Sequence, residues 1–445
     1  VTDSQQVPRH RIVVASMVGT TIEFFDFYIY ATAAVFVFPK LFFPSGNQTA
    51  SLLASFAVFG VAFVARPVGS MIFGHYGDRI GRKATLVGSL LTMGIATFLI
   101  GLLPTFSTIG YAAPVLLALL RFFQGVGLGG EWSGAALLAT ETAEKGKRGW
   151  AAMWPQLGAP LGFLLANGVY LVLMLSMGFD KNSSPIDHPF YTWGWRVPFL
   201  ASAVIVIVGL YVRLRLSETP VFTAAVEAGE KLRAPIATVF RTSWRPLVIG
   251  TFVMLATYTL FYLMTAWASS YGTKSAVGDR ATGFGISATR FIELQLIGVV
   301  FFALFIPVSG WLADRIGRKP VLLAITAGII VFGLIFEKTI GPDVASEAGM
   351  LGFLVVGMIL MGLTFGPMSA VLPELFPTNV RYTGSGISYN VASILGAAVA
   401  PFIATALASR FGVGAVGIYL AITGVLTLFA LFAAPETRDV ELTRI

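Results

Sequence analysis

Five charged residues stand inside runs that are otherwise apolar: Glu23, Asp26, Arg66, Arg121 and Glu131. A charge at the centre of a bilayer costs about 2.5–3.5 kcal/mol even on the most lenient insertion scale, so such residues point to a task. A buried carboxylate can carry a proton, and a buried guanidinium can grip an organic anion with two parallel hydrogen bonds. Other chemistry is scarce. The chain has no cysteine, which excludes disulfides, thiolate metal sites and thiol catalysis. Its three histidines, His10, His75 and His188, leave proton chemistry mainly to carboxylates. No metal-ligand spacing, nucleophile–base set or Walker loop is present, so neither an enzyme nor an ATP-driven pump is expected, and no cofactor. Gly125, Gly127, Gly129 and Gly130 have the density of a phosphate loop, but they sit in an apolar run with no strand before it. They read instead as a smooth helix face that another helix can approach closely.

Aromatic residues surround these charges in the sequence. Tyr258, Phe261, Tyr262 and Thr265 recur at three- and four-residue steps and share one helix face. Tyr30 follows Asp26 by four residues, and Trp154 and Gln156 lie in a further apolar run. Rings around a cavity attract an organic cation by about 0.5–2 kcal/mol each, which suits a zwitterion such as betaine. Packing and an interfacial aromatic belt are the plainer alternatives.

The elements that must position these residues are long and uncharged. The 445 residues are 56% apolar and only 12% charged, against about 25% charged in soluble domains. Twelve spans are expected at 13–38, 51–74, 84–103, 112–140, 150–176, 197–216, 246–271, 291–313, 320–337, 348–373, 383–408 and 413–434. The first contains Glu23 and Asp26 and no cleavage signal, so it is expected to stay as a membrane helix. Of the 30 Lys and Arg, 20 fall in the even-numbered turns and the termini and eight on the opposite side. That asymmetry places both termini in the cytoplasm. It also accounts for the net charge of +8 without a basic patch, so nucleic acid is not an expected partner.

A repeat divides the chain. Gly74, Asp78, Arg79, Gly81, Arg82 and Lys83 recur 236 residues later as Gly310, Asp314, Arg315, Gly317, Arg318 and Lys319. Glu141 and Arg148 recur 233 residues later as Glu374 and Arg381, and Ser217-Glu-Thr-Pro is echoed at Pro435-Glu-Thr-Arg. The expected organisation is a six-helix bundle over 1–216, a cytoplasmic linker over 217–245 and a second bundle over 246–445. Parallel repeats of this kind place a solute site near the midplane between the halves. The intramembrane charges are not repeated: Asp26 falls opposite Tyr262, Arg121 opposite Leu354 and Glu131 opposite Thr364. Proton coupling is therefore expected in the first half.

Depth suggests partners. Asp26 lies about 20 Å up the first span and Arg121 about 14 Å down the fourth, at nearly one level in a core of about 30 Å. They are expected to pair, with a proton on Asp26 releasing Arg121 for an anionic solute group. Glu131 and Arg66, both at an inner level, are expected to form a second pair. Glu23 shares a helix face with Asp26, and two acids so close do not readily ionise together, so one can hold a proton near neutral pH. A structural role, tying three helices together, is the competing explanation. Pro155, Pro160, Pro367 and Pro373 are expected to weaken or kink their helices where a gate can bend.

The loop pattern Gly-x-x-x-Asp-Arg-x-Gly-Arg-Lys, intact in both copies, resembles the signature of the major facilitator superfamily. Within it, Glu23-Phe-Phe-Asp26-Phe-Tyr28, Arg66-Pro67-x-Gly69 and Arg121-Phe-Phe-Gln124-Gly125 through Glu131 resemble the metabolite:H⁺ symporters, whose members carry proline and betaine, di- and tricarboxylates, or shikimate. The resemblance covers nearly the whole chain. It implies an all-α integral membrane fold of twelve helices in two pseudo-symmetric bundles, working as a monomer in the cell membrane. It implies alternating access, with a small metabolite and H⁺ moving together. It implies that Asp26, Glu23 and Glu131 serve proton coupling, and that Arg121, Gln124, Tyr30, Trp154, Gln156, Tyr258 and Tyr262 serve the solute. The repeated loop residues, with Glu141, Arg148, Glu374 and Arg381, would then gate, an acid capping a neighbouring helix or pairing with an arginine from it. A passive facilitator, an exchanger and, more distantly, a nutrient sensor on the same fold are the alternatives.

Overall fold

A computed structural model describes residues 9–80, 82–141, 143–214, 236–274, 283–377 and 380–440. Because no water is available in lipid to satisfy a free backbone, an apolar chain of this kind must close its hydrogen bonds within each segment. It does so in helices: α1 (Arg9–Phe36), α2 (Gln48–Ile80), α3 (Arg82–Leu102), α4 (Ala112–Leu128, continuing as Glu131–Glu141), α5 (Arg148–Gln156 and Gly158–Met177) and α6 (a π-turn Phe190–Gly194, then Arg196–Leu214). The second half supplies α7 (Trp244–Tyr262, π-turn Leu263–Trp267, then Ala268–Thr273), α8 (Ala288–Arg315), α9 (Arg318–Leu334), α10 (Glu347–Phe365 and Met368–Glu374), α11 (Arg381–Ser393, π-turn Ile394–Ala398, then Ala400–Phe411) and α12 (Val413–Ala433). Among the described residues, eight of these are long and apolar enough by composition to cross a membrane. Val172, Leu304 and Phe429 are among the exposed apolar side chains, as a lipid-facing surface requires. The chain is an all-helical, multi-pass membrane protein.

The two halves pack alike. In the first, α1 lies on α5, α2 on α4 and α3 on α6; in the second, α7 lies on α11, α8 on α10 and α9 on α12. The halves meet through α5 against α8 and through α2 against α11, a symmetric exchange of the same two helix types. Of the expected linker, residues 217–235 lie outside the described residues, and Ile236–Thr242 forms a short helix leading into α7. Gly81 also lies outside them, as do the side chains of Asp78, Arg79, Arg82, Lys83 and Glu141, so the first loop's expected contacts are not among those described.

Several spans are broken where the residues dictate. The helix α4 stops at Gly129 and restarts at Glu131, whose charge favours the positive end of the new piece. At Gly125 and Gly129 a side chain would collide with the Ala62 and Arg66 carbonyls of α2. The two helices can approach that closely only because those positions lack a Cβ. Pro155 precedes the break in α5, and Gly366 and Pro367 form the break in α10. The π-turns of α7 and α11 have no proline and no obvious sequence signal.

Candidate solute and proton site

Asp26, Arg121 and Gln124 are fully buried at the junction of α1, α3 and α4. Arg121 and Asp26 do not pair directly, contrary to the expectation from depth. Gln124, one turn along the same helix, accepts from Arg121 Nη1 at 2.5 Å. The Phe59 carbonyl accepts from its Nε and Nη2, both at 3.3 Å. Gln124 Nε2 donates to Thr97 Oγ1 at 2.9 Å, and Thr97 Oγ1 donates to Asp26 Oδ2 at 3.3 Å. The one proton of Thr97 is shared between Asp26 and the nearer Met93 carbonyl at 2.9 Å, and through it a side-chain relay connects Arg121, Gln124, Thr97 and Asp26. The other carboxylate oxygen, Asp26 Oδ1, has no hydrogen-bond partner.

The guanidinium of Arg121 is held by rings instead of an acid. It sits 4.0 Å from the centroid of Tyr30, 4.5 Å from Phe27 and 5.2 Å from Phe59. Cation–π attraction in a desolvated cage reaches about 2 kcal/mol per ring, which helps a cation persist without a counter-charge. Tyr30 therefore faces Arg121, as its assignment to the solute site requires.

The second expected pair is also different. Arg66 lies 3.8 Å from Glu23, not beside Glu131. The described ion pair of Arg66 is thus with the acid of α1, which the count of levels had set beside Asp26. Arg66 is stacked near Phe27 and Phe63 and lines, with Tyr258, Tyr262 and Tyr389, a small cavity between the halves. At about 10 Å³ it has room for roughly one water. Phe27, Phe59 and Phe63 press edge-on against Tyr262 and seal the centre from that side.

Gln156 reaches the inter-half seam, donating to the Phe365 carbonyl at 2.9 Å and accepting from Trp132 at 3.4 Å. Trp132 stacks on Tyr389 of the other half at 3.8 Å between centroids. Trp154 does not join the group. Its ring is partly buried against the core and meets Trp150, and its described ring contacts do not include the Arg121 cage. Sequence reasoning missed Thr97, Phe27, Phe59 and Tyr389. Thr97 has no neighbour in sequence that marks it, whereas Tyr389 stands in an unusually polar stretch of a span.

On the face that carries both ends of the described chain, the halves are latched by charge. Glu374, fully buried, accepts from Arg148 of the first half at 3.2 Å and from Arg318 of its own half at 3.2 Å. Asp314 accepts from the backbone N–H of Gly149 and Trp150, both at 2.8 Å, capping α5 from across the seam. Arg318 also bonds Asp314 at 3.1 Å. Gly310 lies against Gly149, where a side chain would come within 2.9 Å of the Gly149 carbonyl. Gly317 makes the α8–α9 turn at φ +115°, a conformation that side chains resist.

The segment after α12 completes the latch. Arg148 Nη2 donates to the carbonyls of Thr437, Arg438 and Val440 at 2.9–3.0 Å, and Thr437 Oγ1 donates to Glu374. Glu436 accepts from the N–H groups of Arg318 and Lys319 at 3.1 and 2.9 Å. Partial burial pushes its carboxyl up, but these and two further backbone donors outweigh that and hold it below the ordinary glutamate value. Arg315 gives its carbonyl to Arg438, Lys319 reaches the carbonyls of Phe432 and Ala434, and Arg381 bonds the Phe376 carbonyl.

On the opposite face the seam opens into a cavity of about 590 Å³. The arrangement is closed at one face, sealed at the centre and open at the other.

Comparison with known proteins agrees with this geometry. The chain matches the family described as "Sugar (and other) transporter" over residues 12–248 and 281–445. It is 54% identical over 431 residues to the inner membrane metabolite transport protein YhjE of Escherichia coli (strain K12), covering 97% of this chain and 95% of that one. It is 36% identical over 404 residues to the shikimate transporter of the same organism, covering 90% and 88%. The solved structure of the proton:xylose symporter XylE bound to 6-bromo-6-deoxy-D-glucose superposes with a TM-score of 0.70 at 18% identity over 98% of each chain, a likeness of fold.

Proposed function

The chain belongs to the sugar (and other) transporter family of the major facilitator superfamily and is a membrane transporter; from that premise we propose that it carries a small organic metabolite into the cell together with a proton. The latched face is the cytoplasmic one, in keeping with the placement of Lys and Arg. The conformation described is then the outward-facing one with its centre sealed. The membrane is the inner membrane, as named for the relative YhjE.

The observation that carries this reading is the relay from Asp26 to Arg121. A protonated Asp26 no longer draws the Thr97 hydroxyl by charge; the hydroxyl then turns wholly to the nearer Met93 carbonyl and reorients the oxygen that accepts from Gln124. Gln124 then lets go of Arg121, and the guanidinium is left with its aromatic cage and the Phe59 carbonyl. A carboxylate on the solute is the natural replacement, since it matches the guanidinium fork. Tyr258, Tyr262 and Tyr389 line the space between the halves in which the rest of the solute would sit once the centre opens. A carboxylate or a zwitterion such as proline or betaine satisfies this chemistry. Glu23 with Arg66 forms a second charge pair that can respond to the same event. No cofactor is required; the proton gradient supplies the drive, and the protein works as a monomer.

The test is uptake in proteoliposomes of labelled shikimate, citrate, α-ketoglutarate, proline and betaine, with and without an inward proton gradient. Accumulation above equilibrium that collapses with an uncoupler is expected for one class. Asp26→Asn should abolish accumulation and retain solute exchange. Equilibration that ignores the gradient, or an Asp26→Asn variant that still accumulates, leaves a facilitator or exchanger as the correct reading.

A further inference from the structure

Three lysines line the open cavity: Lys40, Lys181 and Lys274. None makes an ion pair with a carboxylate among the described residues. Asp180, the acid next to Lys181, is turned onto its own loop, accepting from Ser183 Oγ at 2.7 Å and the N–H of Asn182 at 3.3 Å. Lys40 is the best satisfied, donating to the Ser184 carbonyl at 3.0 Å and standing 4.5 Å over the Tyr191 ring. Lys181 and Lys274 are not. Each ammonium has three donors, and each makes one long bond, to Thr273 Oγ1 at 3.3 Å and to Thr49 Oγ1 at 3.4 Å. Those two bonds run in opposite directions across the seam. Lys181 belongs to the first half and reaches the end of α7; Lys274 follows α7 and reaches the start of α2. Asn182 Nδ2 adds a third crossing bond, to the Thr273 carbonyl at 3.2 Å. Burial, and then the neighbouring charge of Lys274, bring the half-buried Lys181 ammonium down to about 8. Two cations on opposite halves, without a carboxylate partner among the described residues and facing a cavity large enough for a metabolite, are what an anion would neutralise.

We propose that this cavity is an anteroom for organic anions, in which Lys181 and Lys274 hold a solute carboxylate between the two halves before it passes to Arg121. The proposal rests on the transport reading and narrows it from a carboxylate or zwitterion to a solute with net negative charge. Phe36 of α1 lines the cavity, and Tyr30 of the Arg121 cage lies six residues back, about 9 Å along the helix. The two cationic stations are thus served by the same stretch of α1. A carboxylate bridging Lys181 and Lys274 also draws the halves together on the open side, which is the motion that closure behind a solute needs.

The test reads the lysines themselves, in full-length protein reconstituted in phosphatidylcholine alone. An amine-acylating reagent is applied near pH 8, and modification of Lys181 and Lys274 is measured by mass spectrometry, with the exposed Lys338 as control. Citrate and lactate, at matched ionic strength, are expected to slow acylation of Lys181 at least about threefold; betaine and xylose are expected to leave it unchanged. The double variant Lys181→Gln with Lys274→Gln should raise the half-saturating concentration for uptake about tenfold at unchanged maximal rate, and the Lys→Arg pair should restore it. Protection by betaine or xylose equal to that by citrate overturns the proposal. So does protection that appears only when phosphatidylglycerol is added, which would make the site one for lipid headgroups. Protection by citrate without proton-driven uptake upholds the anteroom and defeats symport; proton-driven uptake of an anion without protection does the reverse.

Discussion

The two faces of the seam hold their halves together by different means. On the latched face, buried ions are fully partnered: Glu374 serves two arginines and a threonine, Asp314 caps a helix of the other half, and the segment after α12 fills what remains of Arg148. Among the described residues, three hydrogen bonds of 3.2–3.4 Å cross the open face, two of them from ammonium groups. A buried charge network is costly to assemble half-made, so it is either fully formed or absent. That gives the latched face an all-or-none character. Among the described residues the open face has no such network, and it can close by degrees around whatever enters. The difference assigns the switch to one face and the sampling of solute to the other.

This contrast can be broken from either side, and the absence of native cysteine makes it simple to read. A cysteine placed at Ser270, which lines the open cavity, reports outward exposure through its rate of maleimide labelling. The largest effect is expected for Glu374→Gln. It strands two buried guanidinium groups at a cost of roughly 3 kcal/mol, and labelling should fall more than about tenfold as the protein leaves the outward-facing state. Unchanged labelling would show that the ion network does not set the equilibrium. Asp314→Ala removes two cap bonds at α5 and one contact of Arg318. A loss of about 1–1.4 kcal/mol should slow labelling by about fivefold to tenfold. Thr273→Val takes one partner from Lys181 on the other face. Labelling should rise, by no more than about threefold, because only a long, part-exposed bond is lost. A fall instead would mean that the bond holds the cavity open.

The smallest effect is one of pH. The Glu436 carboxyl lies below the ordinary glutamate value of 4.5 because backbone donors favour its anion. Its contribution is therefore complete above that value and is lost as pH falls through the lower, folded-state value. Labelling of the Ser270 cysteine, corrected for reagent chemistry, should drop by less than about twofold below pH 4.5 in the parent. Glu436→Gln should lack that step. An equal step in both would assign it to another acid.

Much of this was legible in the sequence. Twelve spans followed from uncharged runs, and the loop repeat anticipated the equivalent packing of the two halves. The common level of Asp26 and Arg121 was countable, since helix rise is fixed. Their connection was not, because it depends on side chains that reach across: Gln124 and Thr97 fill a gap that no spacing reveals. Counting levels likewise did not give Arg66 its described partner, Glu23, because level alone does not say which helix faces which. The π-turns of α7 and α11 left no pattern to read. The lysines of the open face looked like the minority charge of a topology rule until folding brought three of them around one cavity.

The contact between Arg148 and the segment after α12 spans 289 residues and more. A ribosome delivers Arg148 289 residues before Thr437, so the first bundle is inserted before this part of its latch has a partner. Until then the guanidinium must rest in the interfacial water or on another acid. Assembly of this protein thus has a built-in order: Asp314 and then Glu374 reach the latched face first, and Arg148 gains its backbone acceptors there only after α12 has been made.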